Sequence, residues 1–518
     1  MLARIRSAAV LGIDAYLVDV ETDISNGLPS FATVGLPHGA VKEGRERVYA
    51  ALANSNFLFP LKRITVNLAP ADIRKDGSAF DLPIALGILA ATNQLDGGKA
   101  GGREDRHASL DQYVVVGELG LEGGLRPVRG ALSIALSARA AGVRGVIVPK
   151  ANLAEASVVD GVTVMGAETL GQVAAFFATG TPLATPNGAS VPDTLPPADV
   201  DFAEVRGQAH VKRALEVAAA GAHNLLMIGP PGSGKTMLAR RLPTVLPPMT
   251  LEESLETTKI HSVAGLLAAG SSLIRHRPFR APHHTISDAG LIGGGTWPRP
   301  GEVSLAHGGV LFLDEMPEFR KNVLEVLRQP LEDGHVTIAR AAMSLTYPAR
   351  FMLAAAMNPC PCGWYGDPGR ACTCGSPGVE RYRARLSGPL LDRIDVHVEV
   401  PAVPFRELTT HRDEEASDAI RERVHRARQV QLERFAARRG VWANAHMGPR
   451  DLRAACVLSA AAEALLHTAI TRLNLSARAY HRILKLARTV ADLAGSGGIE
   501  AAHVSEAVQY RSMDRGST

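Results

Sequence analysis

A glycine-rich loop carries the clearest chemistry in the sequence. Its eight residues fit the pattern G-x-x-x-x-G-K-[ST] and follow a short apolar run, Asn224–Ile228. In such a loop, backbone N–H groups surround phosphates, the lysine reaches the β- and γ-phosphates, and the hydroxyl ligates Mg²⁺. The helix predicted after the loop directs its positive N-terminal end at the same anion. The sequence therefore predicts a site for ATP and Mg²⁺, formed by Gly229, Pro230, Pro231, Gly232, Ser233, Gly234, Lys235 and Thr236.

Two adjacent carboxylates supply the partner of this loop. Asp314 and Glu315 end a second apolar run, Val310–Leu313. We expect Asp314 to help Thr236 hold the Mg²⁺, and Glu315 to polarise the attacking water. A glutamate at this place indicates hydrolysis of the nucleotide and not binding alone.

Three further polar residues could act on the γ-phosphate. Asn358 ends the apolar run Phe351–Met357 and could orient water, although a turn asparagine is the alternative. Arg393 lies between a predicted helix and a predicted strand, and Arg478 begins a late helix. Either arginine could neutralise charge on the transferred phosphoryl group, in cis or from a neighbouring subunit. From spacing alone, a surface arginine is the alternative for both.

Four of the five cysteines are clustered in fifteen residues. In a reducing compartment this clustering favours a tetrahedral sulfur site over disulfides, and zinc is the usual structural ion. The C-x-C spacing is tighter than the usual C-x₂-C, so an iron–sulfur centre and free, redox-active thiols stay open. The candidate ligands are Cys360, Cys362, Cys372 and Cys374. Cys456 stands in an apolar helical stretch, where we expect it in the core.

The composition is that of a globular protein. The chain has 518 residues, 46% apolar and 21% charged, with a net charge of +4. These values exclude a disordered or fibrous chain, and no global positive field indicates nucleic-acid binding. The N-terminus lacks the pattern of a signal peptide, and no apolar run approaches the roughly 18–20 residues of a membrane span. We expect a cytoplasmic protein without membrane contact.

Three domains are predicted from composition and periodicity. A proline-rich linker, 179–200, separates an N-terminal α+β domain, 1–178, from an α/β core with a parallel sheet, 201–403. The core contains the cysteine insert, 360–374. The remainder, 404–518, has helical spacing throughout.

At this point the motifs resemble a known family. Their order is that of the AAA+ ATPases and, more narrowly, of the magnesium-chelatase-like ComM/YifB family. The stretches that carry the resemblance are Gly207-Gln208, Phe279–Thr285, Gly301–Glu315, Asn358–Gly363, Asp392–Asp395 and Leu475–His481. The resemblance covers nearly the whole chain and implies that Gln208 belongs to the nucleotide site.

The resemblance also implies a hexameric ring with ATP between subunits. Arg393 would be a finger that reaches the next subunit's site, and Arg478 would be a second sensor. An insert near Ala281–Arg299 and a hairpin near Glu332–Arg340 would point into the pore. Residues that could contact nucleic acid there are His335, Arg340, Gly293–Gly295 and Trp297; structural turns are the alternative.

The N-terminal domain resembles the proteolytic domain of Lon-type proteases, an α+β fold of the ribosomal S5 domain 2-like kind. The matching stretches are Ile73–Pro83, Val116–Ala131 and Ala140–Lys150. The position of the Lon lysine is Leu132, which cannot transfer a proton, and Ser78 is displaced from the nucleophile position. We therefore expect the fold without the protease. An assembly platform or a DNA-binding collar could use Lys42, Arg45, Arg47, Lys62, Arg63, Arg74 and Lys75, unless these are scattered surface charges.

The resulting hypothesis is an ATP-hydrolysing AAA+ ring motor that acts on single-stranded or branched DNA. The resemblance implies branch migration, or helicase activity, that supports recombination of imported DNA in natural transformation. Basic residues would line only the pore and collar, so a charge of +4 does not oppose this. A magnesium-chelatase-type protein-remodelling ATPase is the alternative, and Leu132 argues against an ATP-dependent protease.

Overall fold

Two compact units make up the chain in the computed structural model. The structure describes residues 1–73, 75, 77–95, 109–186, 200–268, 270–295, 298–340, 343–404, 414–438, 440–473 and 475–511, without the side chains of Ala40, Lys42 and Met343. The first unit contains Met1–Asp193 and Ser254–Ile274, and the second contains Thr194–Glu253 and Arg275–Thr518. Residues 254–274, which the sequence assigns to the ATPase core, group with the first unit. The boundaries at 178, 200 and 403 stay predictions.

A mixed β-sheet is the framework of the first unit. Its described strands are β1 (Leu2–Leu11), β2 (Asp14–Ser25), β3 (Ser30–Val34), β4 (Arg63–Ala69), β5 (Tyr113–Val115), β6 (Glu118–Leu119), β7 (Leu125–Arg126), β8 (Gly145–Pro149) and β9 (Thr163–Ala167). Seven of these form one sheet in the order β3-β4-β2-β1-β5-β8-β9, and β6 pairs with β7. The long pair β1–β2 is antiparallel, whereas β5, β8 and β9 run parallel.

Helices cover this sheet. Within the described residues they are α1 (Ala40–Asn54), α2 (Asp81–Ala91), α3 (Ala131–Ala140), α4 (Leu153–Ala156) and α5 (Leu170–Thr179). Every residue of α2 is buried, because its sequence is apolar on all faces. The stretch from Ser254 belongs to the same unit through Ser262, whose hydroxyl accepts from Gly130 N (2.8 Å) and donates to Glu155 (2.5 Å).

A parallel sheet is the framework of the second unit. Its strands are β10 (Leu225–Ile228), β11 (Phe279–Arg280), β14 (Val310–Leu313), β17 (Met352–Met357) and β18 (Val396–Glu399), in the order β11-β14-β17-β10-β18. All four neighbouring pairs are parallel. The residues of β10, β14 and β17 are all buried, which explains why they are apolar runs without alternation. The predicted parallel α/β core is confirmed.

Helices occur before, between and after these strands along the chain, and they form the C-terminal region. The described ones are α6 (Ala209–Gly221), α7 (Lys235–Val245), α8 (Leu251–Ala264, which crosses into the first unit's sequence), α9 (Asp288–Ile292), α10 (Glu302–Leu305), α11 (Lys321–Glu325), α12 (Arg328–Asp333), α13 (Gly375–Arg383), α14 (Gly388–Leu391), α15 (Ser417–Arg434), α16 (Pro449–Ala455), α17 (Ala460–Leu473), α18 (Ala477–Leu493) and α19 (Ala501–Gln509). The predicted helical C-terminal region is confirmed. No helix within the described ranges combines the length and the apolar character needed to cross a bilayer.

Two small antiparallel pairs project from the core of the second unit. The insert contains α9 and the pair β12 (Gly293–Gly294) with β13 (Arg299–Pro300). The second pair, β15 (His335–Arg340) with β16 (Met343–Pro348), forms the predicted hairpin. Trp297, named as a possible contact at the tip of the insert, lies outside the described residues.

A buried ionic network joins the sheet to the C-terminal helices. Asp395 precedes β18 and is 2% exposed. Its carboxylate accepts from Arg482 of α18 and lies 3.1 Å from His223 Nδ1, while His223 Nε2 contacts Thr489 of α18 at 2.8 Å. Burial raises the pKa of Asp395, but the Arg482 charge, the His223 contact and the Lys485 charge together outweigh burial, and the net pKa lies below its usual value. The carboxylate therefore stays ionised and fastens α18 to the sheet.

Removal of this carboxylate tests its structural role. We expect Asp395→Asn to lower the free energy of unfolding by about 3–5 kcal/mol, because it leaves the half-buried Arg482 without its counter-charge and the fully buried His223 without its carboxylate partner. Chemical denaturation at neutral pH measures the loss. Asp418→Asn is the control: it removes an 80% exposed carboxylate from an ion pair with Arg421 and should cost at most about 1 kcal/mol. Equal losses in the two variants would contradict the assignment.

Candidate nucleotide-binding site

The glycine-rich loop joins β10 to α7 in the second unit, as predicted. Its first glycine is required by close packing: a Cβ on Gly229 would lie 2.0 Å from the carbonyl oxygen of Val400. Gly229 N donates to Met357 O (3.2 Å), which ties the loop to the end of β17. The loop is therefore held between the ends of β17 and β18.

Lys235 is the first residue of α7 and points back into the loop. Its Nζ donates to the carbonyl oxygens of Gly229 (2.7 Å) and Pro230 (2.9 Å) and to Asn358 Oδ1 (3.2 Å). Burial lowers the pKa of the Lys235 ammonium, and the carboxylates of Asp314 and Glu315 act in the opposite direction. The structure thus brings together the lysine and the asparagine that the sequence singled out separately.

Asp314 lies directly opposite Thr236. The Thr236 hydroxyl donates to Asp314 Oδ2 (2.6 Å), and the other carboxylate oxygen accepts from Glu315 N (2.9 Å). A hydroxyl and a carboxylate are oxygen ligands of the kind that Mg²⁺ prefers, so the donor set fits the predicted ion. Glu315 has a φ of 50°, a left-handed conformation that is costly outside glycine and is often found at functional sites.

These residues enclose one cavity. Its volume is about 380 Å³, and its lining combines the loop, both carboxylates and Asn358. The described lining residues are Pro231, Gly232, Ser233, Gly234, Lys235, Thr236, Met237, Asp314, Glu315, Met357 and Asn358. Sequence reasoning missed Met237 and Met357, since apolar residues beside the motif carry no signal of their own.

Gln208 supports the loop from behind. Its side-chain amide donates to the carbonyl oxygens of Ser233 and Pro401, both at 2.9 Å, and the residue is 8% exposed. It has a φ of 55° and stands immediately before α6. The residue contacts the backbone of the loop and does not line the cavity among the described residues. Direct nucleotide contact by Gln208 stays a prediction.

The two candidate arginines lie elsewhere in the second unit. None of the described residues that line the nucleotide cavity is an arginine. Arg393 makes an ion pair with Glu332, and Arg478 lies 3.7 Å from Asp392, the residue before Arg393. The Arg478 side chain is 66% exposed. The two arginines are therefore neighbours, and neither reaches the phosphate loop of its own chain.

The four clustered cysteines converge on one point. Their sulfur atoms all lie within 4.8 Å of one another, and Cys360 Sγ lies 3.3 Å from Cys362 Sγ and 3.7 Å from Cys372 Sγ. A tetrahedral zinc site with Zn–S bonds of about 2.3 Å has sulfur–sulfur edges of about 3.8 Å, so the arrangement fits zinc. Backbone N–H groups point at the sulfurs, as Tyr365 N does at Cys360 (3.3 Å) and Cys362 N does at Cys374 (3.3 Å). Hydrogen bonds from Trp364 N and Thr373 N lower the pKa of the Cys362 thiol to about 6.

The cysteine loop touches the phosphate loop. Gly363 has a φ of 86°, and a Cβ there would lie 2.4 Å from Cδ of Pro231. Pro231 lines the nucleotide cavity. On the other side, Asn358 stands two residues before Cys360 and accepts a hydrogen bond from Lys235. The cysteine cluster and the nucleotide cavity are therefore joined through both loops. Sequence reasoning gave only the second link, because the Gly363 contact joins segments that are far apart in the chain.

The candidate residues of the first unit have mixed outcomes. The Ser78 hydroxyl donates to the Glu118 carboxylate, and Leu132 is fully buried. The assignment of Lys75 to a basic surface is wrong, because its side chain is fully buried. Arg47 makes an ion pair with the buried Asp81 (2.6 Å), whereas Arg45, Lys62 and Arg63 are exposed. The side chain of Lys42 and all of Arg74 lie outside the described residues.

The site geometry defines a class. A phosphate loop, a carboxylate pair and an asparagine follow three neighbouring parallel strands, as in P-loop ATPases. Family models described as the magnesium chelatase subunit ChlI match residues 201–408 and 20–152, and a model of the C-terminal part of that subunit matches residues 414–511. Competence protein ComM of Haemophilus influenzae is 46% identical over 99% of this chain and 98% of its own length. YifB of Salmonella typhimurium is 44% identical over the same shares. The chain belongs to the ComM/YifB family of magnesium-chelatase-like AAA+ ATPases.

A shorter similarity covers part of the chain. Lon protease 2 of Bacillus subtilis is 32% identical over 157 residues, which cover 28% of this chain and 27% of that protein. This is compatible with the predicted Lon-like domain, whose fold assignment stays a prediction.

The contact between the two loops can be tested at Gly363. We expect Gly363→Ala to raise the Kd of ATP about tenfold, since the rigid Pro231 ring cannot yield without displacing the phosphate loop. Gly366→Ala is the matched control, because Gly366 has a φ of 81° and no atom within 4 Å of an added Cβ. It carries the same backbone strain without the clash. Equal ATP affinities of the two variants, by calorimetry, would show that the contact does not matter.

Proposed function

We propose that this protein is an ATP-driven ring motor that acts on single-stranded or branched DNA and promotes branch migration during recombination of imported DNA. The observation that carries the proposal is the similarity, over nearly the whole chain, to a relative named as a competence protein. The chain also retains the loop, the carboxylates and the asparagine used in hydrolysis, gathered around one cavity. The subunits would form a hexamer, the assembly that the family resemblance implies.

Each residue of the site has a role in hydrolysis. Backbone N–H groups of the loop and the Lys235 ammonium bind the β- and γ-phosphates. Thr236 and Asp314 would hold Mg²⁺, which would neutralise charge on the phosphates. Glu315 accepts a proton from the attacking water. Asn358, which accepts a hydrogen bond from Lys235, orients that water. Arg393 of a neighbouring subunit completes the site, since the described lining contains no arginine.

The insert and the hairpin are the proposed DNA contacts. Arg340 at the end of β15 is exposed, and His335 at its start is half-buried. The outward side chains of a hairpin in a pore would meet the phosphate backbone, and such contacts are sequence-tolerant and weakened by salt. Of the candidate glycines Gly293–Gly295 of the insert, Gly295 is exposed and would allow close approach, whereas Gly293 is buried against the hairpin. Arg45, Lys62 and Arg63 would add a basic surface on the first unit.

Zinc is the proposed occupant of the cysteine cluster, with a structural role. Four thiolates leave no open position, which is the pattern of structural zinc and not of catalytic zinc. Because the cluster borders Pro231 and Asn358, the ion would hold both sides of the nucleotide cavity. An iron–sulfur centre or free thiols would give a different metal content.

A second function is favoured by the family models that match this chain. All three describe a magnesium chelatase subunit, so an ATPase that remodels a partner protein is the alternative to a DNA motor. We do not propose proteolysis, because the Ser78 hydroxyl donates a hydrogen bond to the Glu118 carboxylate and Leu132 stands where Lon-type proteases have their lysine.

Glu315→Gln separates binding of ATP from its hydrolysis. We expect wild-type ATPase activity to rise on addition of single-stranded DNA or a four-way junction. We expect Glu315→Gln to bind ATP but hydrolyse it at least about 100-fold more slowly, since the general base is lost, and to remain on DNA when ATP is present. Steady-state ATPase and gel-shift assays measure both effects.

The control for this variant is Glu318→Gln. Glu318 is an exposed carboxylate three residues further along, paired with Arg385 at 2.9 Å, and its loss should leave hydrolysis near the wild-type rate. The proposal of a DNA motor is rejected if neither single-stranded DNA nor the four-way junction changes the wild-type ATPase rate and Glu315→Gln does not stay on DNA. A protein-remodelling ATPase would then be preferred.

The zinc assignment makes a separate prediction. Metal analysis should find about one zinc per chain, and Cys372→Ser should abolish zinc binding and lower the melting temperature. Cys456→Ser, which changes a cysteine outside the cluster, should keep the full metal content. A metal-free preparation with an unchanged melting temperature and full ATP affinity would refute the assignment.

A further inference from the structure

Arg393 has an acidic partner within its own chain. Its Nη2 makes an ion pair with Glu332, and its Nη1 donates to the carbonyl oxygen of Pro389 (2.7 Å). The Arg393 side chain is 12% exposed, whereas that of Glu332 is 60% exposed. The Nε of Arg393 is buried and has no hydrogen-bond partner among the residues that the structure describes. The arginine is thus held by one surface carboxylate in an incompletely satisfied position.

Glu332 stands at the base of the β15–β16 hairpin. It belongs to α12, and Gly334 connects the end of that helix directly to β15. Ala349 N donates to Gly334 O (2.9 Å), so the end of β16 is fixed to the same point. The hairpin itself is paired along its whole length, from His335 opposite Pro348 to Arg340 opposite Met343. A displacement of the hairpin therefore moves its base and the adjacent carboxylate.

The hairpin also packs against the insert. A Cβ on Gly293 would lie 2.8 Å from Cδ1 of Ile338, and the Tyr347 hydroxyl donates to Pro298 O (2.7 Å) in the interior. A cavity of about 890 Å³ separates α9, α12 and β15, and Arg393 forms part of its wall together with Glu332 and Arg340. Arg393 is therefore bordered by both elements proposed to contact DNA.

We propose that Glu332 is a positioning residue that restrains Arg393 in the resting subunit and releases it when the hairpin moves. This inference rests on the proposed function, in which Arg393 serves the neighbouring subunit and the hairpin contacts DNA. Binding at the hairpin shifts α12, the Glu332–Arg393 pair separates, and the guanidinium becomes available to the phosphates of the adjacent site. The pair is open to water on the glutamate side, so its separation requires little free energy. ATP hydrolysis in one subunit then depends on whether the hairpin of the next subunit is bound to DNA.

The test is the ATPase rate of the full-length protein with and without DNA. We expect Glu332→Gln to raise the basal rate about two- to fivefold, because the arginine is no longer restrained. The rate with saturating single-stranded DNA should stay near the wild-type rate, so the ratio of the two rates falls towards one. Glu332→Asp should restore most of the wild-type ratio. The gain should vanish in the double variant Glu332→Gln with Arg393→Ala.

The control removes another exposed glutamate from an ion pair. Glu415 is 44% exposed and pairs with Arg423 in the same unit, and Glu415→Gln should leave the basal rate and the ratio unchanged. The melting temperature of each variant shows that it is folded. An unchanged or lower basal rate in folded Glu332→Gln overturns the restraint, and so does a gain that survives loss of Arg393.

Failure of the proposed function gives a different result. If DNA does not change the rate of the wild-type protein, the DNA motor and the coupling to the hairpin are both rejected. The restraint on Arg393 is still decided by the basal rates, which need no DNA. A raised basal rate in Glu332→Gln that depends on Arg393 would then support a restrained finger in an ATPase with another substrate.

Discussion

The parallel pairing of β10, β14 and β17 is the constraint on which the nucleotide site depends. Leu313 of β14 pairs with Ala355, and Ile228 of β10 pairs with Met357 of the same strand. The carboxyl ends of the three strands therefore meet at one edge, where ligands of open α/β sheets bind. The residue that follows each strand belongs to the candidate nucleotide site: Gly229, Asp314 and Asn358. A shift of one residue would exchange the side chains that pack against the two buried faces of β10, β14 and β17, so packing on both faces fixes the geometry of the site.

The same sheet also positions the two candidate arginines, Arg393 and Arg478. Arg393 lies just before β18, and Arg478 lies on α18. Arg478 and Arg482 are four residues apart and lie on one face of α18. Their partners are Asp392 and Asp395, which flank Arg393 just before β18. The helix therefore lies along the segment that carries Arg393, with Asp395 as the buried anchor. Because β18 pairs with β10, the position of this segment is tied to the phosphate loop.

Local sequence explains much of this structure and leaves out its long-range contacts. The apolar runs before Gly229, Asp314 and Asn358 predict buried strands, and the glycine-rich motif predicts the phosphate loop at the end of β10. The hairpin near Glu332–Arg340 was expected from the family resemblance and not from local sequence. The burial of Lys75 was not, since a lysine between charged neighbours is typical of a surface. The Gly363–Pro231 contact and the Glu332–Arg393 pair were not predictable either, because each depends on how distant segments pack and leaves no periodic pattern.

The ion pairs of the second unit fall into two kinds, which differ in how far the acidic side chain is buried. Asp395 is buried, so loss of Arg482 would leave a charge without water, and that pair is fixed. Glu332 is 60% exposed and Asp392 is 38% exposed, so water can replace Arg393 and Arg478 at little cost. In a chain with almost equal numbers of basic and acidic residues, some arginines are therefore paired with buried acids and others with exposed acids. The net charge of +4 does not distinguish the two kinds, whereas the burial of each carboxylate does.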